Sequence, residues 1–243
     1  WNALSTNNLP SSPATAALNT FMHGNHAFFL PKIANVFQKP STPDQIDSWY
    51  DPSPLRSTLE KFVDFSLLNR PKKMRVSIGT VNISTGKLKY FDNTTTKLTS
   101  NHILASCALP PGFPPVEIDG EHYWDGGMVS NTPIEWLLEA NEHSNTIAVQ
   151  AHLWCPSGRL PKNYSDVTSA MQDFQYCGKH DPANSLIKER NDQIKVIKGL
   201  MSLVPKKHQT TVQYEAARNH CSTKGLLSVV DATYRNTPFN EYD

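Results

Sequence analysis

Apolar residues along this chain fall into short blocks whose spacing switches between the helical and the strand period. Leu55, Leu59, Phe62, Val63 and Leu67 recur at helical spacing and predict a helix. It is entered at Ser53-Pro54, where serine accepts the first free amide protons and proline fits the first turn, and Pro71 closes it. Met74–Val81 is rich in β-branched residues and predicts a strand, turned at Ser84-Thr85-Gly86 and returning over Lys87–Phe91. A short helix is expected over Ser100–Cys107, then a stiff loop over Leu109–Pro115, whose four prolines fix φ and remove donors. Val116–Ile118 and His122–Trp124 predict a second hairpin turned at Asp119-Gly120. Further on, the pattern predicts a helix from Thr132-Pro133 with Ile134, Leu137 and Leu138 on one face, and a buried strand over Thr146–Leu153. Helices follow over about 166–176 and 184–203, the second with a stripe of Leu186, Ile187, Ile194, Ile197 and Leu200, then a last strand over Gly225–Arg235. Alternating helices and strands imply an α/β sandwich with a sheet between helical layers.

Residues 1–52 break the pattern. Asn7–Pro13 reads as loop, Phe21–Phe37 suits short helices, and four prolines between Pro40 and Pro54 argue against regular structure. Phe21, Phe28, Phe29, Phe37, Trp49 and Tyr50 nevertheless need somewhere to pack.

Composition narrows the function more than it narrows the fold. The 243 residues suffice for one sizeable domain with its own core. A net charge of +1 gives no electrostatic case for nucleic acid, and Lys72-Lys73 and Lys206-Lys207 read as isolated, solvated pairs. No apolar run approaches the ~20 residues of a membrane span. The four cysteines (Cys107, Cys155, Cys177 and Cys221) lack zinc spacing and read as free buried thiols. His102, His122, His143 and His152 read as surface or packing residues, so no metal and no cofactor is expected.

One stretch carries chemistry. Asp125 ends a short strand and is followed by Gly126-Gly127. Glycines there permit φ > 0 and keep the space beside the carboxylate open. Taken alone, those three residues suggest nothing beyond a turn. They sit, however, inside Ala105-Ser106-Cys107-Ala108-Leu109-Pro110-Pro111-Gly112-Phe113-Pro114-Pro115-Val116, then Tyr123-Trp124-Asp125-Gly126-Gly127 and Asn131-Thr132-Pro133. This run of about thirty residues resembles the patatin-like phospholipases: a small-residue helix, a Pro-rich loop, a hairpin, then Asp-Gly-Gly and Asn-Thr-Pro. Val81-Asn82-Ile83-Ser84-Thr85-Gly86 resembles the family's strand-turn segment more loosely. Asp231–Arg235 and Phe239–Asp243 weakly resemble a bacterial subgroup with a C-terminal extension.

The resemblance implies a three-layer α/β sandwich and a Ser-Asp dyad acting on lipid or other acyl esters, with at most transient, interfacial membrane contact. It implies Asp125 as general base, Gly126 and Gly127 as the turn that supports it, and Pro110, Pro111 and Phe113 as a wall of the acyl groove. Desolvation then has to raise the basicity of Asp125, since an ordinary carboxylate is a weak base. The serine of Gly-x-Ser-x-Gly and the glycine-rich oxyanion loop are not found in the sequence, and neither Ser106 nor Ser130 sits in the required strained turn. Trp1-Asn2-Ala3-Leu4 resembles the end of the helix after the nucleophile. The expectation is therefore a fragment lacking its N-terminal nucleophile-bearing units, inactive alone and poorly soluble because strand edges stand unpaired. Residues 1–154 would be the partial catalytic domain, and 155–243 its helical and terminal-strand continuation or a C-terminal extension. The expected setting is soluble, cytoplasmic or peripheral to a membrane. The rival reading is a lipid-binding or interaction domain that has lost its nucleophile.

Overall fold

A computed structural model describes residues 20, 22–32, 48–70, 73–131, 133–134, 136, 146–152, 160–177, 180–222 and 226–233. The chain divides into two compact units between Asn131 and Thr132.

The first unit grows from two local hairpins. Ser77–Asn82 (β3) and Leu88–Asp92 (β4) pair antiparallel, with Gly86 at φ 66° in the turn. Val116–Ile118 (β5) and Glu121–Asp125 (β6) pair likewise around Asp119 and Gly120, both at positive φ (53° and 81°). Two positive φ values in succession make the tight turn whose twist matches the strands it joins. Strand β3 also pairs with β6, giving a four-stranded antiparallel sheet in the order β4-β3-β6-β5. Helix Ser100–Ser106 (α3) supplies buried Leu104 and Ala105. Ala105 joins Phe91, Leu98, Ile118 and Tyr123 in the first core. Buried His102 packs edge-on against Phe91, with ring centroids 4.6 Å apart, and its Nδ1 accepts the Thr99 amide at 3.0 Å. It is a packing and capping residue, whereas His122 is exposed. Burial lowers the His102 pKa.

The polar N-terminal stretch is tied onto this unit. Leu30–Pro31 (β1) pairs with Tyr50–Asp51 (β2), a strand inside the segment expected to be irregular. The helix expected over 53–70 is two: Ser53–Phe62 (α1) and Phe65–Leu68 (α2). Asp64 divides them, its carboxylate accepting the amides of Ser66 and Leu67 at 2.9 and 3.0 Å. Ser53 does not cap α1 with its side chain; Asp51 accepts the Ser53 amide (2.9 Å) and hydroxyl (2.8 Å) instead.

In the second unit Thr146–His152 (β7) and Leu227–Thr233 (β8) form a two-stranded parallel sheet. Between them in sequence lie Tyr164–Cys177 (α4), His180–Leu203 (α5) and Val212–Ser222 (α6). Ile134, Ala148, Ile187 and Leu227 make the second core. The predicted stripe on α5 holds only in part: Ile187 and Ile194 are buried, but Leu186 and Leu200 face solvent. Asn191 fixes that rotation by exchanging hydrogen bonds with the Leu227 backbone at 2.6 and 3.2 Å. The predicted helix at 132–138 lies largely outside the described residues, as do His143, Cys155 and the side chains of His152 and Cys177. The architecture is mixed α/β. Its described strands form three small sheets, where the alternation of elements had suggested one central sheet.

Candidate active site

The site is set by the strand that carries Asp125. Residue 125 pairs with Thr80 on β3, the middle of the sheet, and Thr80 is wholly buried. The chain then turns sharply into a 3₁₀ turn over Gly126–Met128. A Cβ at residue 126 would stand 2.7 Å from the Gly79 backbone and 2.9 Å from the Thr80 nitrogen. Glycine is required there by close approach of two backbones. Neither Gly126 nor Gly127 adopts positive φ, so the conformational reason given by the sequence is replaced by a spatial one. A Cβ at residue 127 would lie 3.2 Å from Asp125 Oδ1 and 3.5 Å from Asn131 Oδ1, crowding the carboxylate.

The Asp125 carboxylate accepts one hydrogen bond among the described residues, from the Gly127 amide at 2.8 Å. Burial raises its pKa above the ordinary value, and that single bond only partly opposes the shift. A desolvated carboxylate with most of its acceptor capacity unused is a better base than one in water. Its direction matches what a proton-accepting role demands. Desolvation by the apolar atoms around its sulfur, with the Asp125 charge added, also raises the pKa of the Cys107 thiol, although the residue as a whole is exposed. The sequence predicts buried thiols at both positions: Cys221 is buried and free, whereas Cys107 reaches solvent.

The same unit holds an apolar cavity of about 270 Å³, one backbone hydrogen bond away from Asp125. Ala108 links the two: it lines the cavity, and its carbonyl accepts the Asp125 amide at 3.0 Å. Phe113 and Pro114 form part of the wall, with Leu104 and Cys107 from α3 and its end, and Phe28, Phe29 and Leu55 from the N-terminal stretch. Pro110 and Pro111, expected in that wall, are not among its lining. In the same loop, the Pro111 and Gly112 carbonyls accept the Trp49 and Tyr50 amides at 3.3 and 2.9 Å. That anchorage brings Tyr50 and Phe29 onto Phe113, with centroids 4.7 to 5.7 Å apart across the three rings. Phe28 and Phe29 had shown in the sequence only as aromatics in need of a partner. Ser106 and Ser130 make no hydrogen bond to Asp125, and Ser130 donates its amide to the Gly126 carbonyl.

The site thus joins a strand-end carboxylate, its pKa raised by burial, through its backbone amide to a residue that lines an apolar cavity. The family model of the patatin-like phospholipases matches residues 7–138, more than half of the chain, and the chain belongs to that family. No curated protein matches it.

Proposed function

We propose that this chain is the base-bearing part of an acyl hydrolase that cleaves carboxylic esters of lipids through an acyl-serine intermediate. The observation that carries the reading is the Asp125 carboxylate, its pKa raised by burial and its one hydrogen bond among the described residues given by the Gly127 amide, on a strand end whose own amide is bonded to Ala108 in the wall of the apolar cavity. Family membership supports it, because that family's name is a lipid hydrolase's.

In the proposed reaction a serine hydroxyl attacks the ester carbonyl and gives its proton to Asp125. The alcohol leaves with that proton, and the acyl group stays on the serine. Water, deprotonated by Asp125, then attacks the acyl-serine and releases the acid, returning the proton to the serine. The acyl chain would lie in the apolar cavity, and Gly126 and Gly127 would keep the turn tight and the carboxylate uncrowded. The nucleophile-bearing strand would complete a three-layer sandwich. Residues 1–154 would belong to the catalytic domain, and 155–243 to its continuation or an extension.

The test is ester turnover by the full-length protein. Asp125→Ala should lower it by about 10²–10⁴-fold, the usual contribution of a positioned base. Turnover near the parental rate would sink the assignment. A second reading, lipid binding without hydrolysis, is favoured by one observation: no Gly-x-Ser-x-Gly occurs in the sequence. It predicts no labelling of the full-length protein by a fluorophosphonate probe, whereas the hydrolase reading predicts labelling.

A further inference from the structure

The outward face of α5 changes character halfway along. At helical spacing, Glu189 and Asp192 occupy it first, then Val196, Leu200 and Leu203. The last three are exposed, Leu203 at 78 %. The chain then turns through Pro205 and a short 3₁₀ helix, Lys206–His208, into α6, which begins at Val212, 80 % exposed. Gln209 ties the turn back by donating to the Val204 carbonyl at 3.0 Å. Between Gln193 and Tyr214 there are four lysines (Lys195, Lys198, Lys206 and Lys207) and no aspartate or glutamate. All four are exposed. Lys195 lies at the boundary, 3.4 Å from Asp192 in a solvent-exposed pair that holds it weakly.

We infer that the tip of the α5–α6 hairpin is a docking surface for an anionic lipid bilayer, with Leu200, Leu203 and Val212 entering the headgroup layer and Lys206 and Lys207 meeting lipid phosphates and carboxylates. Charge complementarity selects the partner: the turn carries Lys206 and Lys207 against the single acid Glu215 in the first turn of α6, and each lysine near a negative membrane gains about a fivefold increase in affinity. Apolar and basic signals together hold a protein at an interface where either alone is marginal. Lys206-Lys207, in sequence an isolated pair, gains its meaning from the helix that carries Val196, Leu200 and Leu203 to the same end. The inference does not depend on ester hydrolysis, so an inactive protein tests it equally well.

The experiment is co-sedimentation with vesicles of phosphatidylcholine alone and of phosphatidylcholine mixed with phosphatidylserine. The parent protein should sediment with the mixed vesicles, weakly with the neutral ones, and less as salt rises. Lys206→Gln with Lys207→Gln should lower binding about 25-fold, and Leu200→Ser with Leu203→Ser by at least tenfold, with unchanged far-ultraviolet circular dichroism. Should a double variant fail to fold, Lys206→Gln alone should still lower binding about fivefold. Lys61→Gln, an exposed lysine on α1, should leave it unchanged. Equal binding to both vesicles, equal loss on Lys61→Gln, insensitivity to the hairpin substitutions, or capture of an RNA oligonucleotide with no vesicle binding would each overturn the assignment.

Discussion

Two aspartates in the first unit show how neighbours decide what a carboxylate does. Asp92, only 4 % exposed, accepts from Arg75 Nε (2.6 Å), Ser77 Oγ (2.5 Å), and the Thr94 amide (2.9 Å) and hydroxyl (2.5 Å). Burial alone would raise its pKa, but these donors hold it far below the ordinary value. Because its folded pKa is depressed, its stabilisation is fully present above the unfolded value of about 3.9 and fades as pH falls below that. Asp92→Asn should therefore cost about 2–3 kcal/mol at neutral pH, measured by urea unfolding, with a smaller difference in acid. Asp125 has the opposite environment, and the signs reverse. Its raised pKa makes ionisation unfavourable to the fold, so its contribution to stability is lost as pH rises through the folded value. Asp125→Asn should raise the unfolding midpoint at pH 7 while abolishing turnover in the full-length protein. In the parent, activity should rise with pH along a limb centred above the usual 3.9 or so. A limb at or below that value would remove the case for a desolvated base. Gly126→Ala drives a methyl into the β3 backbone and should cost about 1–3 kcal/mol in unfolding free energy.

At the level of elements, turn chemistry was the most readable feature. Gly86 and the Asp119-Gly120 pair fix both hairpins within a residue or two, since each turn depends on its own few residues. Gly120→Ala at φ 81° should destabilise by about 1 kcal/mol, with no effect on the cavity. Helices were read less well wherever a local polar group overrode the pattern. The apolar spacing runs unbroken from Leu55 to Leu67, so only the geometry of the Asp64 cap reveals the break. Helix α6 escaped notice because its inner face is Tyr214, Ala217 and Cys221, a stripe with little hydrophobic contrast. The candidate base was legible because Asp125 and its glycines form one local motif. The cavity was not, because Phe28, Phe29 and Leu55 reach Phe113 across more than fifty residues of chain, and no periodicity records that meeting. The backbone service of Pro111 and Gly112 toward Trp49 and Tyr50 is equally non-local.

For the molecule as a whole, the second unit exposes what folding ordinarily hides. On β7, Ala148 and Gln150 are buried, while Ile147 and Val149 on the opposite face are 72 % and 69 % exposed. A strand apolar on both faces is the pattern of a sheet covered on both sides. The 243-residue chain should therefore self-associate, with light scattering showing species larger than 27.2 kDa. Ile147→Lys with Val149→Lys should shift it toward the monomer; a strictly monomeric parent would contradict the prediction. The first unit's arrangement has a different reach. Asp125 is bonded through its amide to Ala108, which is one wall of the cavity, whereas Phe28, Phe29 and Leu55 opposite come from a stretch that takes no part in holding the carboxylate. The apolar wall can thus be recut by drift in the first sixty residues while the backbone that seats Asp125 is inherited unaltered.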